Sequence, residues 1–394
     1  MTSMPEVHGT TAQGFEHCRD AFATNIKSGA EIGAACSIKV NGVTVVDLWG
    51  GSADQETGAA WERDTIVPVF SVSKGVAAIC VLQLVAQGKL DLDAPISRYW
   101  PEFAHAGKSK ITVRETLAHR AGVPFIEGDV SFSQLANVEH MAARVAAQVP
   151  LFEPGSAHIY HPVTIGWIVS ELVRRVTGST VGEWVEENVA SRLGISLFFG
   201  LPQTERSRVA RLAHRDPEQI AVGLATMMPP GSMPWKAMTL NGLLSFGPDL
   251  GRGSLNDPQV QAAELAGAAL VTDARSLATF YSACLAPVDG VRLLSDEVIA
   301  DAILPVSNGL QFGLDVDGPA WGAGVMTPWS VQPMLGGSSF GHDGMGGSLA
   351  FASPEHKVAF AYVRNGLVPG GVEDPEVYAV VNALNTALLE GNAA

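Results

Sequence analysis

Strand-like sequence lies at both ends of this 394-residue chain, and helical sequence fills its middle. Near the N-terminus, two apolar, partly alternating stretches at 34–40 and 43–49 flank Asn41-Gly42, a dipeptide that favours a two-residue hairpin turn. Toward the C-terminus, strand-like stretches are 311–316, 347–353 and 357–363, and a helix is predicted over 376–389. This order predicts one sheet built from the two terminal parts of the chain, with helices inserted between them.

The chain is longer than one typical domain, so we expect two. Residues 1–75 and 291–394 are predicted to form a discontinuous α/β domain and residues 76–290 a mostly helical one, with the active site in the cleft between them. The predicted helices before residue 200 are 13–27, 74–87, 113–119, 138–148, 163–176 and 181–193. Segment 215–257, rich in Met, Pro and Gly, is predicted to be irregular, either covering the core or forming a wall of a substrate pocket.

Composition excludes several kinds of partner. The formal net charge of −15 at pH 7 argues against nucleic acid or an anionic membrane, since both bind basic surfaces. The four cysteines, at positions 18, 36, 80 and 284, form no C-x-x-C pair, so neither a disulfide framework nor a zinc site is indicated. Residues 1–14 hold no Lys, Arg or apolar run, so a cytoplasmic location is expected. The apolar run 75–88 is too short to span a bilayer.

The stretch Phe70-Ser71-Val72-Ser73-Lys74 places a hydroxyl and an amine three residues apart at the start of an apolar run. If the run is helical, both side chains lie on one face. A serine hydroxyl needs a neighbouring base at neutral pH, and Lys74 could be that base if burial and the helix dipole keep its amine neutral. The pattern also arises by chance, and Ser71 could simply cap the helix.

Two further stretches offer groups for the same chemistry. Tyr160 lies just before the apolar helix at 163–176, and its phenol could carry a proton to or from Ser71, with Lys74 stabilising the phenolate. Residues 341–347, Gly-His-Asp-Gly-Met-Gly-Gly, enter a strand and offer backbone N–H groups to an oxyanion. Alone, Tyr160 could pack on the helix end and 341–347 could be an ordinary β-turn.

Together the three motifs resemble those of the serine β-lactamase and penicillin-binding-protein superfamily: S-x-x-K, a Tyr- or Ser-centred second motif, and a K-T-G or H-x-G third motif. More narrowly, the chain is similar to the family VIII carboxylesterases. Further matching stretches, which extend the similarity over about 32–363, are 88–95, 99–103, 117–124, Tyr160-His161 and Gly166-Trp167. The resemblance implies an α/β (α+β), β-lactamase/DD-peptidase-like fold, in which helices flank an antiparallel sheet and a mostly helical domain is inserted.

The resemblance also implies a role for each matching residue. Ser71 would be the nucleophile, Lys74 its proton acceptor and Tyr160 the second-motif tyrosine. Backbone N–H groups of Ser71 and Met345 would form the oxyanion hole. The expected reaction is hydrolysis of carboxylic esters, with short acyl chains, through an acyl-enzyme on Ser71, without cofactor or metal. The candidates for contacts with this small-molecule substrate are His342, Gly344, Phe125, Met233, Trp235 and Trp321.

Two departures from the family pattern bear on the substrate. The second motif ends in Pro162 where many relatives have asparagine, and the third has His342 instead of the K-T-G lysine. Pro162 offers no amide to a β-lactam side chain and His342 only a titratable charge to a carboxylate, which weighs against efficient penicillin hydrolysis. The alternatives left open are a β-lactamase or DD-peptidase, an amide hydrolase or acyltransferase of the same superfamily, and an inactive binding protein. The oligomeric state, a homo-oligomer included, is also open.

Three other patterns are expected to be structural. Residues 337–341 match the G-x-S-x-G of α/β-hydrolases, but a glycine turn and a strand follow them, whereas that motif needs a helix. Glu153, beside Pro154-Gly155, is expected to be a loop residue and not a deacylating base. His158 and His161 lack a third ligand for a metal.

Overall fold

The computed structural model describes residues 6–368 and 374–393, and its main feature is a ten-stranded antiparallel sheet. The strands in chain order are β1 Val7–Thr11, β2 Gly33–Val40, β3 Val43–Asp54, β4 Ala59–Ala60, β5 Val67–Pro68, β6 Leu197–Phe198, β7 Ala213–His214, β8 Val271–Thr272, β9 Ser307–Leu310, β10 Asp317–Trp321, β11 Met326–Thr327, β12 Phe340–Asp343, β13 Leu349–Ser353, β14 Val358–Arg364 and β15 Gly366–Leu367. The large sheet has the order β1-β3-β2-β14-β13-β12-β11-β10-β9, with β4 on β3. It therefore joins strands from both ends of the chain, as the sequence predicts.

Helices occupy most of the chain between β5 and β9. The α-helices are α1 Glu16–Lys27, α2 Val72–Ala86, α3 Val113–Leu117, α4 Phe132–Leu135, α5 Val138–Ala147, α6 Thr164–Thr177, α7 Val181–Val185, α8 Ser191–Leu193, α9 Pro217–Met227, α10 Met233–Thr239, α11 Pro258–Ala262, α12 Ala274–Leu285, α13 Asp296–Ala302 and α14 Pro375–Ala393. The predicted fold class, an antiparallel sheet flanked by helices with an inserted helical part, is confirmed, whereas the domain boundaries stay a prediction. Within the described ranges, no helix has both the length and the apolarity needed to cross a bilayer.

Strand β14 shows why the sheet is covered on both faces. All seven of its residues are buried, and their side chains alternate between two apolar clusters. Phe360 and Tyr362 join the cluster that contains residues of α1 and α14, while Ala359 and Ala361 join the one that contains residues of α2 and α12. A strand buried on both faces reads as a continuous apolar run, which is what the sequence has here.

Helix α2, which carries Lys74, is the central helix of the molecule. Every residue from Val72 to Leu84 is buried and most of them are apolar, as expected for a helix enclosed by other elements on all sides. It packs against α6, α7, α13 and β12. At Gly75 an added Cβ would lie 2.3 Å from Tyr281 Oη and 3.4 Å from His342 Cβ, so glycine allows β12 to approach the helix.

Two predictions of local structure are wrong in part. Residues 311–316 do not form a strand but the turn between β9 and β10, in which Gly313 adopts a φ of 70°. Segment 215–257 is not irregular throughout, because it contains α9 and α10. The missed signals were Asp216 and Ser232, whose side chains cap these helices, each with a proline in the first turn.

Candidate active site

Ser71 lies at the N-terminal end of α2, directly after a strained residue. Phe70 adopts a φ of 50°, a left-handed conformation that a non-glycine residue adopts only when its surroundings impose it. The preceding Val69 is fixed by an N–H bond of 3.0 Å to the Leu270 carbonyl. The sharp turn leaves Ser71 half-buried, whereas Val72 and Ser73 after it are buried. The first turn of α2 thus presents the hydroxyl at the positive end of a helix.

Lys74 lies one helical turn later, and its amine is within hydrogen-bonding distance of the serine. Its Nζ is 3.0 Å from Ser71 Oγ and 2.5 Å from the carbonyl oxygen of Gly267. The side chain is buried, and a cavity of only about 10 Å³ lies beside it. Burial lowers the pKa of Lys74 to about 7, while the nearby Asp343 carboxylate opposes that shift. A large fraction of the amine is therefore neutral near pH 7 and can accept a proton.

Tyr160 reaches the same oxygen from the loop before α6. Its Oη donates a hydrogen bond of 2.8 Å to Ser71 Oγ, and Lys74 Nζ lies 4.8 Å from the centroid of its ring. Burial raises the pKa of Tyr160 above the usual value for a phenol, and the bond to Ser71 only partly offsets this. Tyr160 is therefore a phenol at rest, so the group that can accept a proton at neutral pH is Lys74.

The third predicted motif ends β12 and lies against the turn that holds Ser71. A Cβ on Gly344 would lie 2.3 Å from the Val69 carbonyl oxygen, so only glycine allows the two backbones this approach. His342 is buried, and its Nδ1 lies 2.5 Å from the Asp343 carbonyl oxygen. Burial lowers the pKa of His342, despite the opposing effect of Asp343. The imidazole is therefore neutral and supplies no fixed positive charge.

The six candidates for substrate contacts fall into two groups. Trp321 and His342 are both buried beside Tyr160, and Trp321 stacks on its ring at a centroid distance of 5.7 Å. Gly344 follows His342 by two residues and lies against Val69 and Phe70, next to Ser71. The others form a second group around α10: Met233 and Trp235 are half-buried on that helix, and Phe125 lies under its Lys236, with Nζ 5.3 Å from the ring centroid.

The structure also places the patterns that were expected to be structural. Ser339 is fully buried and leads into β12, without the helix that a nucleophile elbow requires. Glu153 is exposed on its loop. Both ring nitrogens of His161 face main-chain groups, the Val123 N–H at 3.0 Å and the Ile159 carbonyl at 2.6 Å. Among the residues described, no group of three or more His, Cys, Asp or Glu side chains is placed to hold a metal ion.

Sequence reasoning missed three residues of this site. Gly267 supplies the carbonyl that binds Lys74, and Gln311 accepts the Tyr160 N–H through its Oε1 at 2.8 Å. His119 lies against the Tyr160 ring at a centroid distance of 5.0 Å. His119 lies within the family-like stretch 117–124, which was the one available signal. The other two contacts depend on how distant loops meet and leave no local pattern.

A serine within hydrogen-bonding distance of a buried lysine and a tyrosine, in a fold whose antiparallel sheet is flanked by helices, defines a site of the serine β-lactamase type. The chain matches the Beta-lactamase family over residues 18–384 and belongs to that family. It is 33% identical to the esterase/beta-lactamase LipL of Mycobacterium tuberculosis (strain ATCC 25618 / H37Rv), over 88% of this chain and 80% of the relative.

Two solved structures share the whole fold. A family VIII carboxylesterase superposes with a TM-score of 0.85 at 32% identity, over 97% of this chain and 100% of that chain. EstA from Arthrobacter nitroguajacolicus Rue61a superposes with a TM-score of 0.84, also at 32% identity, over 98% of this chain and 99% of that one. The resemblance inferred from the motifs is therefore confirmed.

Proposed function

We propose that this protein is a carboxylesterase, a serine hydrolase that cleaves carboxylic esters with short acyl chains through an acyl-enzyme on Ser71. The observation that carries the proposal is the meeting of three groups: Ser71 Oγ lies 3.0 Å from Lys74 Nζ and 2.8 Å from Tyr160 Oη. The similarity to LipL and to a family VIII carboxylesterase supports the ester as substrate.

In the first half of the reaction, neutral Lys74 takes the proton of Ser71 as Oγ forms a bond to the ester carbonyl carbon. The tetrahedral intermediate collapses, the bond to the alcohol oxygen breaks, and that oxygen takes the phenolic proton of Tyr160. Lys74 then gives its proton to the Tyr160 phenolate, which returns both groups to their starting states. Asp343 is the nearby carboxylate that stabilises the charged amine formed in between.

Hydrolysis of the acyl-enzyme repeats these steps with water. A water molecule loses its proton to Lys74, attacks the acyl carbon, and Ser71 leaves with a proton from Tyr160. We assign the oxyanion hole to the backbone N–H groups of Ser71 and Met345. Support comes from Gly344, whose close approach to Val69 puts the turn that contains Met345 next to Ser71.

Two features favour esters over penicillins. The buried, neutral His342 gives no permanent cation for the carboxylate of a β-lactam. Pro162 has no side-chain amide to bind the amide group beside the ring. Hydrolysis of β-lactams stays the second candidate because the relative LipL is named both an esterase and a beta-lactamase.

The test is a panel of nitrophenyl esters from acetate to decanoate, with a chromogenic cephalosporin alongside. We expect turnover of the short esters, weak or no turnover of the cephalosporin, and loss of nearly all turnover in Ser71→Ala. A fluorophosphonate probe should add one mass label at Ser71. If neither turnover nor labelling occurs, the protein is a binding protein on this scaffold. Adding an alcohol or amine acceptor separates hydrolysis from acyl transfer by its products.

The proposal also covers the domains that contain the site, the location of the protein and the class of its partner. We place the site between a discontinuous α/β domain, 1–75 with 291–394, and a helical domain, 76–290. Support comes from Ser71 and Lys74, which lie in the first range, and Tyr160, which lies in the second. A cytoplasmic location is supported by the four cysteines, all free and buried. The formal charge of −15 supports a small-molecule partner and not nucleic acid.

A further inference from the structure

His119 binds the backbone on both sides of Tyr160. The N–H of Ile159 donates to the His119 carbonyl oxygen at 3.1 Å, and the N–H of His161 donates to its ring Nδ1, also at 3.1 Å. The N–H of Tyr160 itself donates to Gln311 Oε1 at 2.8 Å. Three consecutive amides are thus fixed, and His119 accepts two of them.

The His119 ring also contacts the Tyr160 ring directly. It meets Tyr160 edge-on at a centroid distance of 5.0 Å and Trp321 edge-on at 4.3 Å, while Trp321 stacks on Tyr160 at 5.7 Å with an interplanar angle of 12°. Both His119 and Trp321 are only 1% exposed. The Tyr160 ring therefore packs against two buried rings that also contact each other. This packing restricts the rotation of the Tyr160 side chain.

Two further observations indicate that His119 is held in place and neutral. Its φ of 65° lies in the left-handed region, which is uncommon for a non-glycine residue, and in this conformation its carbonyl oxygen and its ring both accept amides of the loop that carries Tyr160. Because its Nδ1 accepts the His161 N–H, the proton of the neutral ring is on Nε2. Burial, with nearby His161 and Lys74, lowers the pKa of His119, so the ring stays uncharged.

We propose that His119 is a positioning residue for Tyr160. It does not touch the substrate; by fixing the two flanking amides and one side of the ring, it holds Tyr160 Oη at 2.8 Å from Ser71 Oγ. This inference rests on the proposed function, because it matters only if Tyr160 transfers protons.

The first test compares His119→Ala with His119→Asn, whose side-chain oxygen can replace Nδ1 as the acceptor of the His161 N–H. With a nitrophenyl ester, His119→Ala should lower kcat about 100-fold, because a misplacement of about 1 Å at a reacting group costs this much. The KM should change by less than about threefold, since binding contacts remain. The kcat of His119→Asn should be about tenfold higher than that of His119→Ala. A large change in KM with unchanged kcat would overturn the positioning role.

Stability is separated from positioning by a matched control. Phe22→Leu removes buried aromatic volume on α1, where the Phe22 ring packs edge-on against Tyr362 at a centroid distance of 5.8 Å. It should lower the Tm while leaving kcat within about twofold of the wild type, because the ring that is lost packs on Tyr362 of β14 and not on the Tyr160, His119 or Trp321 ring. If Phe22→Leu lowers kcat as much as His119→Ala does at a similar Tm, general destabilisation accounts for the result and the proposal fails. If His119→Ala does not fold, the kcat and Tm of His119→Asn are compared with those of Phe22→Leu instead.

The decisive experiment repeats His119→Ala in a Tyr160→Phe background. If His119 acts through the tyrosine, the second substitution should lower the remaining kcat by less than about threefold, because coupled residues are non-additive. Equal losses in both backgrounds would refute the positioning role and leave the proposed function intact. Full activity of Tyr160→Phe alone would refute the proton transfer by Tyr160, and with it the positioning role, while ester hydrolysis through Ser71 would stand.

Discussion

The close approach of Gly344 to the turn before Ser71 makes a sharp prediction for Gly344→Ala. A Cβ there would lie 2.3 Å from the Val69 carbonyl oxygen and 3.4 Å from Phe70 Cβ, whereas real Cβ contacts are essentially never under 3.0 Å. The two backbones must therefore separate by about 0.7 Å. The two backbones lead directly into Met345 and Ser71, whose N–H groups form the proposed oxyanion hole, and a shift approaching 1 Å at reacting groups costs about 100-fold in rate. Overpacking should also destabilise the fold by about 1–3 kcal/mol.

The assay measures kcat and KM for a nitrophenyl ester, with urea unfolding in parallel. The matched control is Gly337→Ala, because a Cβ on Gly337 meets nothing within 4 Å and this residue lies in the turn before β12. We expect a loss near 100-fold in kcat for Gly344→Ala and almost none for Gly337→Ala. A Gly344→Ala protein with wild-type kcat and wild-type stability would refute the reasoning from the close approach.

Three further predictions concern charged groups. Since only the neutral amine of Lys74 accepts a proton, kcat/KM should rise through an apparent pKa of about 7 and level off above it. Asp343→Asn should move this rise to lower pH, because the carboxylate favours the charged amine; a shift to higher pH contradicts the assignment. Glu31 forms a fully buried ion pair with Arg364 at 2.9 Å and accepts the Tyr362 hydroxyl, so Glu31→Ala should lower the free energy of unfolding by about 3–5 kcal/mol. Urea denaturation checks this, and a loss below about 1 kcal/mol contradicts it.

Features with local causes were predictable from the sequence. Asn41 and Gly42 have φ values of 50° and 80°, the geometry that their dipeptide favours, and β2 and β3 pair around them. Helix α2 was predicted within two residues at its start, because its apolar run is unbroken. The predicted meeting of Ser71, Lys74 and Tyr160 followed from ordered motifs and not from any contact visible in the sequence.

Features that depend on tertiary contacts were not predictable. The stretch 311–316 looks apolar and extended, yet it turns at Gly313, and Gln311 binds the Tyr160 N–H. His119 looks like one residue of a helix end, and its function as an acceptor for Ile159 and His161 requires two loops to meet. Local propensity carries no information on such pairings.

The hydrogen bond from Lys74 to Gly267 has a consequence for how this family of sites can vary. The acceptor is a main-chain oxygen, so every amino acid at position 267 supplies it and no substitution at that position removes it. A substitution at position 267 would affect this hydrogen bond only sterically, because an added Cβ would lie 3.1 Å from the Val163 carbonyl oxygen and 3.2 Å from the Gly166 nitrogen. The orientation of the base is therefore encoded in the path of the backbone, which makes it resistant to sequence drift.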